Sequence, residues 1–184
     1  MGRNILVLTG SPRKGGNSET LADAFIEGAA SAGHNINKFQ AAFKKIDGCR
    51  ACEKCWTTGT ACVFRDGFAE LEPLLESADT LVFATPLYFF TYSAQIRAAT
   101  DRFFAYISPL CLRPLKIKDT ILLTCAEMEE DWIFDGLIAS YKNSGRFMNW
   151  NDKGIIAVPE VSKKGDIAGS PYLDKARNLC KSLG

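Results

Sequence analysis

Histidine is the residue that this sequence has least of, because His34 is the only one in 184 residues. One histidine, at a predicted turn between a helix and a strand, gives little support to Ser-His-Asp or Cys-His catalysis, since both need a histidine base. A surplus of positive charge is also lacking: 22 Lys+Arg face 21 Asp+Glu, for a net charge of +1. We therefore expect no nucleic acid among the partners.

Long apolar runs are a second absence. Ile5–Leu8 is too short for the apolar core of a signal peptide, and Gly10-Ser11-Pro12 stops it without a cleavage-site pattern. No stretch approaches the roughly 20 apolar residues that cross a bilayer. We therefore expect a cytoplasmic protein that does not bind a membrane. Its seven cysteines, an odd number, are not expected to form a disulfide framework in a reducing compartment.

The sequence does contain an alternation of apolar runs and helical stripes. A helix capped by Asn17 or Ser18 follows the first run, another helix spans about 131–145 and ends at Gly145, and a final helix runs from about Pro171 to Leu183. Strands are predicted at Ile5–Leu8, 35–43, Thr80–Ala84, Thr120–Thr124 and Gly154–Val158. This alternation predicts a single α/β domain over residues 1–184, with a parallel sheet and helices on both faces.

In such sheets, ligands bind at the carboxyl ends of strands, where the strand order reverses. The segments of interest are therefore Thr9–Asn17, Thr85–Thr91 and Thr124–Glu130. The third segment is acidic and poor in glycine. Backbone donors at Ala126 and Glu127 are its only candidates for contact with a ligand.

The segment after the first strand reads Thr9-Gly10-Ser11-Pro12-Arg13-Lys14-Gly15-Gly16-Asn17-Ser18. Small residues, hydroxyls and the N–H groups of a helix start favour an anion, and an arginine can add a charge-assisted contact. The segment lacks the lysine of a Walker A loop, and Pro12 breaks the dinucleotide pattern Gly-x-Gly-x-x-Gly. A mononucleotide phosphate suits it better. The alternative is a turn that only caps the helix.

These residues also resemble the opening loop of the NADPH-dependent FMN reductase and iron–sulfur flavoprotein family. The resemblance extends over nearly the whole chain. Its further motifs are Cys49-x-x-Cys52-x-x-Cys55 with Cys62 and Asp66, Ala84-Thr85-Pro86-Leu87-Tyr88, Asp101-Arg102-Phe103, Trp150-x-x-Lys153-Gly154, and Lys164-Gly165-Asp166-Ile167 with Gly169.

The resemblance implies a flavodoxin-like three-layer sandwich with a five-stranded parallel sheet in the order 2-1-3-4-5. It also implies that Ser11, Arg13, Asn17 and Ser18 hold the phosphate of FMN, and that Pro86, Leu87, Tyr88 and Phe89 lie beside the flavin ring. The residues themselves support the second loop, because its proline fixes the backbone and its aromatic side chains can wall a flat heterocycle. The alternative is that these aromatic residues form core or subunit contacts, which we favour for Phe90 and Tyr92.

A cysteine-rich insertion at about 48–65 carries Cys49, Cys52, Cys55 and Cys62. Three cysteines spaced three apart, completed by a fourth, are typical of a 4Fe–4S ligand set, and zinc is the lesser metal alternative. By resemblance, iron–sulfur flavoproteins bind a 4Fe–4S cluster with this spacing. The other possibility is a set of free thiols packed in a loop. Cys125 and Cys180 are expected to be buried as small apolar side chains.

Together these features predict an FMN-dependent oxidoreductase that passes electrons from NAD(P)H to a quinone, a flavin or a redox protein, with no catalytic side chain assigned. The alternatives are an electron carrier that uses FMN with a 4Fe–4S cluster and is reduced by ferredoxin, and a small-anion sensor without flavin. The expected partners are flavin and nicotinamide nucleotides. A homodimer or homotetramer is also expected, with the Tyr88–Tyr92 cluster as a subunit contact.

Overall fold

The computed structural model describes residues 2–58 and 61–184, and its centre is a parallel sheet. Five strands within these ranges pair in the order β2-β1-β3-β4-β5, which confirms the predicted fold class and strand order. Each apolar run lies inside a strand and is covered on both faces, as expected for a parallel sheet. The strands are β1 Asn4–Thr9, β2 Asn35–Gln40, β3 Thr80–Pro86, β4 Asp119–Cys125 and β5 Asn151–Val158.

Helices cover both faces of the sheet. On one face α1 and α6 pack through Phe25 and Ala176 against Val7 and Val82. On the other face α3, α4 and α5 pack against the alternate residues of the same strands, such as Leu6 and Phe83. The helices are α1 Asn17–Ser31, α2 Lys54–Thr58, α3 Phe68–Ser77, α4 Ala94–Asp101, α5 Asp135–Met148 and α6 Pro171–Leu179.

Four helix ends differ from the prediction. Helix α5 begins at Asp135, after a 3₁₀ turn over Asp131–Phe134, and α6 ends at Leu179, before a 3₁₀ turn over Cys180–Leu183. The N-cap of α1 is Gly16, one residue before Asn17, and it offers no side chain to cap the helix. Helix α5 continues past Gly145 to Met148 and ends at Asn149, which takes the left-handed conformation with φ 56°. Cys125 and Cys180 are buried, as predicted, and Cys55 is buried as well.

None of the helices in the described ranges is long and apolar enough to cross a membrane.

Helix α1 crosses α6 at Gly28, where a Cβ would overlap the backbone carbonyl of Arg177. A backbone group cannot move aside as a flexible side chain can, so Gly28→Ala must push the two helices apart. We expect it to lower the free energy of unfolding by about 2–3 kcal/mol, despite the higher helix propensity of alanine. Urea unfolding measures the effect. Gly33→Ala is an unsuitable control because Gly33 has φ 84°, whereas Ser31→Ala on the exposed end of α1 should change stability little.

Candidate functional site

A cleft opens at the carboxyl edge of the sheet, with a cavity volume of about 190 Å³ and a mouth that is partly open to solvent. Four segments that are distant in sequence line it: the turn before α1, the residues after β3, those after β4, and the loop after β5. The lining residues are Ser11, Arg13, Gly16, Asn17, Ser18, Pro86, Leu87, Tyr88, Cys125, Ala126, Glu127, Val161, Ser162 and Lys164.

The turn before α1 forms a cradle of small residues. Gly15 has φ 62°, a conformation that favours glycine. A Cβ on Gly16 would lie 3.0 Å from the carbonyl oxygen of Arg13 and 3.3 Å from Ser11 Oγ, so a larger residue would fill the cradle. The Ser11 hydroxyl accepts a hydrogen bond from the Arg13 N–H at 3.2 Å, which fixes the turn. The donor set at this helix start therefore fits an anion such as a phosphate.

The carboxylate of Glu19 stabilises this turn by hydrogen bonding. Its Oε2 accepts the Gly15 N–H at 2.6 Å, while Oε1 accepts bonds from Lys38 Nζ at 2.8 Å and Gln40 Nε2 at 2.6 Å. Burial alone raises the pKa of Glu19, but these partners outweigh it and hold the pKa below its ordinary value. Glu19 is therefore ionised at neutral pH, and Lys38 balances its charge.

The loop after β5 is fastened to the cradle by two of the predicted site residues. Asn17 Nδ2 donates to the carbonyl of Lys163 at 2.9 Å, and Asn17 Oδ1 accepts the Gly165 N–H at 3.1 Å. Arg13 Nη1 donates to the carbonyl of Ser162 at 3.0 Å. These bonds bring Lys164 over the turn, where its Nζ lies 3.1 Å from the position of a Cβ on Gly15. A second cation thus faces the cradle.

The loop after β3 turns sharply beside the cleft. Tyr88 and Thr91 exchange two backbone hydrogen bonds of 3.1 and 3.2 Å, and Phe89 and Phe90 between them have φ 47° and 66°. Such a turn ordinarily contains glycine or asparagine, so two phenylalanines there are strained. Phe90 stacks on Trp132 at 5.5 Å, and Phe89 is 94% exposed. Tyr88 of this turn lines the cleft, whereas Phe89 and Phe90 do not.

The loop after β4 uses its first backbone groups internally. The Ala126 N–H donates to the carbonyl of Val158 at 2.9 Å, and the Ala126 carbonyl accepts the Val161 N–H at 2.9 Å. Burial raises the pKa of the Cys125 thiol to about 12, so it is a neutral wall of the cleft. The N–H of Ala126, a candidate contact from the sequence, is therefore already paired.

Most of the predicted site residues lie together. Ser11, Arg13, Asn17, Ser18, Pro86, Leu87 and Tyr88 all line the cleft, whereas Phe89 lies at the turn's tip and does not. Sequence reasoning counted Lys164-Gly165-Asp166-Ile167 among the family motifs but assigned no site role to Lys164 or to this loop after β5. The signal was present in Lys163-Lys164-Gly165-Asp166, because the Asp166 carboxylate accepts the N–H groups of Ser162 and Lys163 at 2.9 and 2.6 Å and so closes a turn.

The four cysteines of the predicted insertion line a small pocket with a cavity volume of about 20 Å³. Ala51 and Glu53 have φ 50° and 56°, and these left-handed residues curl the chain between the cysteines. Burial raises the pKa of the Cys55 thiol, and the nearby Cys62, Cys49 and Cys52 raise it further. Residues 59 and 60 of the insertion lie outside the described residues. Among those described, no three His, Cys, Asp or Glu side chains are arranged to hold a metal ion.

Arg102 holds this segment together from inside the protein. Its side chain is 1% exposed and forms an ion pair with Asp66 at 3.1 Å. It also donates to the carbonyls of Asp47 at 2.9 Å and Phe64 at 3.1 Å. Burial alone lowers the pKa of Arg102, but Asp66 and the adjacent Cys62 raise it above its ordinary value. One guanidinium therefore joins both ends of the cysteine segment.

Fold and cleft together define a class, namely flavodoxin-like α/β proteins with an anion cradle at the start of the first helix. The sequence profile described as "NADPH-dependent FMN reductase" matches residues 3–119, more than half of the chain. The chain therefore belongs to the NADPH-dependent FMN reductase family, as its motifs predicted.

Relatives and solved structures agree with this family. An iron–sulfur flavoprotein of Archaeoglobus fulgidus is 35% identical over 99 residues, which cover 54% of this chain and 44% of that protein. One of Methanosarcina thermophila is 33% identical over 98 residues, 53% of this chain and 51% of that protein. These matches span about half the length of each relative. The NAD(P)H:quinone oxidoreductase of Methanothermobacter marburgensis superposes with a TM-score of 0.78 at 18% identity, covering 100% of this chain and 96% of that one, which shows a shared fold.

Proposed function

We propose that this protein binds FMN in the cleft at the carboxyl edge of the sheet and passes electrons from NAD(P)H to a quinone, flavin or redox-protein acceptor. The observation that carries the proposal is the cradle at Gly15 and Gly16. It combines a free helix start with cations from two separate segments, Arg13 and Lys164. Family membership supports the same cofactor.

In this proposal the phosphate lies in the cradle and the ring lies along the loop after β3. Ser11, Ser18 and the N–H groups at the start of α1 donate to the phosphate, while Arg13 and Lys164 balance its charge. Asn17 acts differently from its expected role, since its side chain holds the loop that carries Lys164. Pro86, Leu87 and Tyr88 form the wall beside the ring. Phe89 is proposed to cover the cleft mouth rather than line it.

The bound FMN would supply the redox chemistry, accepting a hydride from NAD(P)H and releasing electrons to the acceptor. The protein's residues orient the ring and exclude water from one side of it. No side-chain acid or base is required. Glu127 lies on the cleft wall, and Cys125 stays protonated because burial raises its pKa.

The proposal is tested by adding FMN to the purified protein and mixing it anaerobically with NADPH and with NADH. We expect saturable quenching of FMN fluorescence, followed by bleaching of the flavin absorbance with at least one nicotinamide and its return when a quinone is added. Bound FMN that neither nucleotide bleaches would favour the carrier over the enzyme. Absence of FMN binding would contradict both and favour the anion sensor.

A second candidate function is an electron carrier with FMN and a 4Fe–4S cluster reduced by ferredoxin. It is favoured by one observation: four thiols line one pocket in a curled segment. Thiolates are the ligands that such a cluster needs, and Cys49, Cys52, Cys55 and Cys62 would hold it. Anaerobically purified protein should then contain iron and sulfide, and Cys52→Ser should lose both while Cys180→Ser keeps them. Protein that contains no iron would contradict the 4Fe–4S carrier and favour the alternative of free thiols.

Lys164 provides a test of the phosphate position. We expect Lys164→Gln to weaken FMN binding about five- to tenfold at low salt, because a charge-assisted contact is lost, and to weaken it less at high salt. The measurement is a fluorescence titration at two ionic strengths. Lys163→Gln is the matched control, since its side chain does not line the cleft. Equal loss in both variants would contradict a specific role for Lys164.

The remaining proposals concern the whole molecule. We propose that residues 1–184 act as one FMN-binding domain in the cytoplasm, where the seven thiols would stay reduced. Association into a homodimer or homotetramer is proposed through the exposed aromatic surface around the turn, formed by Tyr88, Phe89, Phe90, Met128 and Trp132. Sedimentation of Phe89→Ser against the unmodified protein tests this. A redox-protein partner would compete for the same surface.

A further inference from the structure

A second cavity lies on the sheet face covered by α4 and α5, and it shares no lining residue with the cleft described above. Its cavity volume is about 260 Å³, and it is partly open to solvent. Its lining is mostly aromatic. The rings of Phe83, Tyr92, Phe103 and Trp150 contribute to its buried wall, each less than 10% exposed, and Phe147 stands at its rim, 68% exposed.

One polar group of this wall has no protein partner. Tyr92 is 95% buried, yet its hydroxyl hydrogen bonds to none of the residues in ranges 2–58 and 61–184. Burial raises the pKa of that hydroxyl well above its ordinary value, and the nearby Arg97 acts in the opposite direction. The hydroxyl is therefore protonated at neutral pH and can donate. The hydroxyl is not one of the fully enclosed polar atoms that lack a partner among the described residues, so it keeps access to the cavity, where a ligand or water can accept from it.

Arg97 and Asp101 both line the edge of the cavity, and the Arg97 Nε pairs with the Asp101 carboxylate at 3.1 Å, so their charges offset each other. The two terminal nitrogens of Arg97 have no acceptor among the described residues and remain available as donors. Those nitrogens and the Tyr92 hydroxyl together form a donor set beside an aromatic wall. Such a combination recognises a flat apolar body that carries an acceptor group, best a negatively charged one.

From this geometry we propose that the cavity between α4 and α5 is a second binding site, for a small planar aromatic carboxylate. The ring of the ligand lies against Phe83, Phe103 and Trp150. Its carboxylate accepts hydrogen bonds from Tyr92 and Arg97. The site is independent of the flavin, so it stands whether or not the cleft binds FMN.

The test uses 2-naphthoate as the probe and 2-naphthalenemethanol as its uncharged analogue, with saturating FMN present. Binding is measured by saturation-transfer NMR and calorimetry. We expect 2-naphthoate to bind with a dissociation constant of about 0.1–1 mM, and the alcohol to bind roughly tenfold more weakly. Tyr92→Phe keeps the ring and should weaken the carboxylate about five- to tenfold. Arg97→Gln should have a similar effect.

Two tryptophan variants test where the ligand binds, one that blocks the cavity and one control. Ser144 lines the cavity, so Ser144→Trp should abolish binding, whereas Asn143→Trp, next to it on exposed α5, should leave binding unchanged. Each variant's far-ultraviolet circular dichroism and FMN affinity should match the unmodified protein. The proposal is overturned by the absence of saturable binding, by equal binding in Ser144→Trp, or by equal affinity for the alcohol. It is also overturned if sedimentation shows that a second copy covers this face and that Ser144→Trp removes it.

Discussion

Replacing Arg102 with leucine is expected to lower the free energy of unfolding by about 3–5 kcal/mol, the usual cost of removing one partner of a buried ion pair. The change leaves the carboxylate of Asp66 and the carbonyls of Asp47 and Phe64 without their donor. Urea unfolding followed by circular dichroism measures it. We also expect the cysteines to react faster with a thiol reagent, because the guanidinium joins both ends of their segment.

Arg102→Lys is the matched variant, since it keeps the charge but lacks the planar fork that reaches several acceptors. Its free energy of unfolding should lie between that of the unmodified protein and that of Arg102→Leu. A loss below about 1 kcal/mol in Arg102→Leu would contradict the assigned role, because such a value is typical of an exposed pair.

The same ion pair has an acid dependence. Burial alone raises the pKa of Asp66, but the N–H groups of Asp47 and Phe68 and the Arg102 side chain hold it below its ordinary value. A depressed folded-state pKa stabilises the protein above the unfolded value, and this stabilisation disappears as the pH falls through the folded value. The loss therefore lies below about pH 4. Arg102→Leu lacks one of the groups that hold the Asp66 pKa down, so its free energy of unfolding should fall less between neutral pH and the acid range.

The sheet could be predicted because its signal is local. Each apolar run of β1, β3 and β4 is covered on both faces, so nearly every residue is apolar, and the strand order followed from the family resemblance. The cradle was also predictable, since Ser11-Pro12-Arg13 and Gly15-Gly16 lie between a strand and a helix. Their spacing is fixed by covalent connection.

The differences between prediction and structure arise where contacts between residues far apart in sequence determine the local conformation. Asn17 is a good helix cap by residue type, but its side chain bonds to Lys163 and Gly165, about 150 positions away, and Gly16 becomes the cap. Gly145 looks like a helix end, yet its carbonyl accepts the Trp150 N–H at 2.8 Å and Asn149 takes the left-handed conformation instead. Lys164 was given no site role for the same reason, because only the folded chain brings the loop after β5 to the cradle.

The assignment of Phe89 to the wall beside the ring stays a prediction, although its side chain does not line the cleft. Its place beside the ring came from its position next to Tyr88, and nothing in the residue types predicts a turn with two left-handed phenylalanines. The strain is maintained by tertiary contacts, since Phe90 stacks on Trp132 and its carbonyl closely approaches Gly136. Strained turns of this kind are common at functional sites, which agrees with its position beside the cleft.

Replacing Ser18 with aspartate is expected to weaken FMN binding at least about 100-fold, or about 2.7 kcal/mol. Ser18 is the second residue of α1 and lines the cleft, so the new carboxylate would face the phosphate directly. Two negative unit charges about 4 Å apart repel by roughly 4 kcal/mol at an effective dielectric constant of 20. Ser18 is only 3% exposed, so burying the new carboxylate costs some stability, which the positive end of the helix dipole and the cations Arg13 and Lys164 in the same cleft offset.

Weaker FMN binding in a protein that stays folded distinguishes loss of the phosphate contact from loss of structure. Ser18→Asn has nearly the same shape without the charge, and its FMN affinity should stay within about fivefold of the unmodified protein. Riboflavin carries the same ring but no phosphate, so Ser18→Asp should bind it as the unmodified protein does. Fluorescence titrations with both flavins and urea unfolding of both variants give the comparison. If Ser18→Asp lost riboflavin and FMN equally, or bound FMN as well as Ser18→Asn does, the phosphate would not lie at the start of α1.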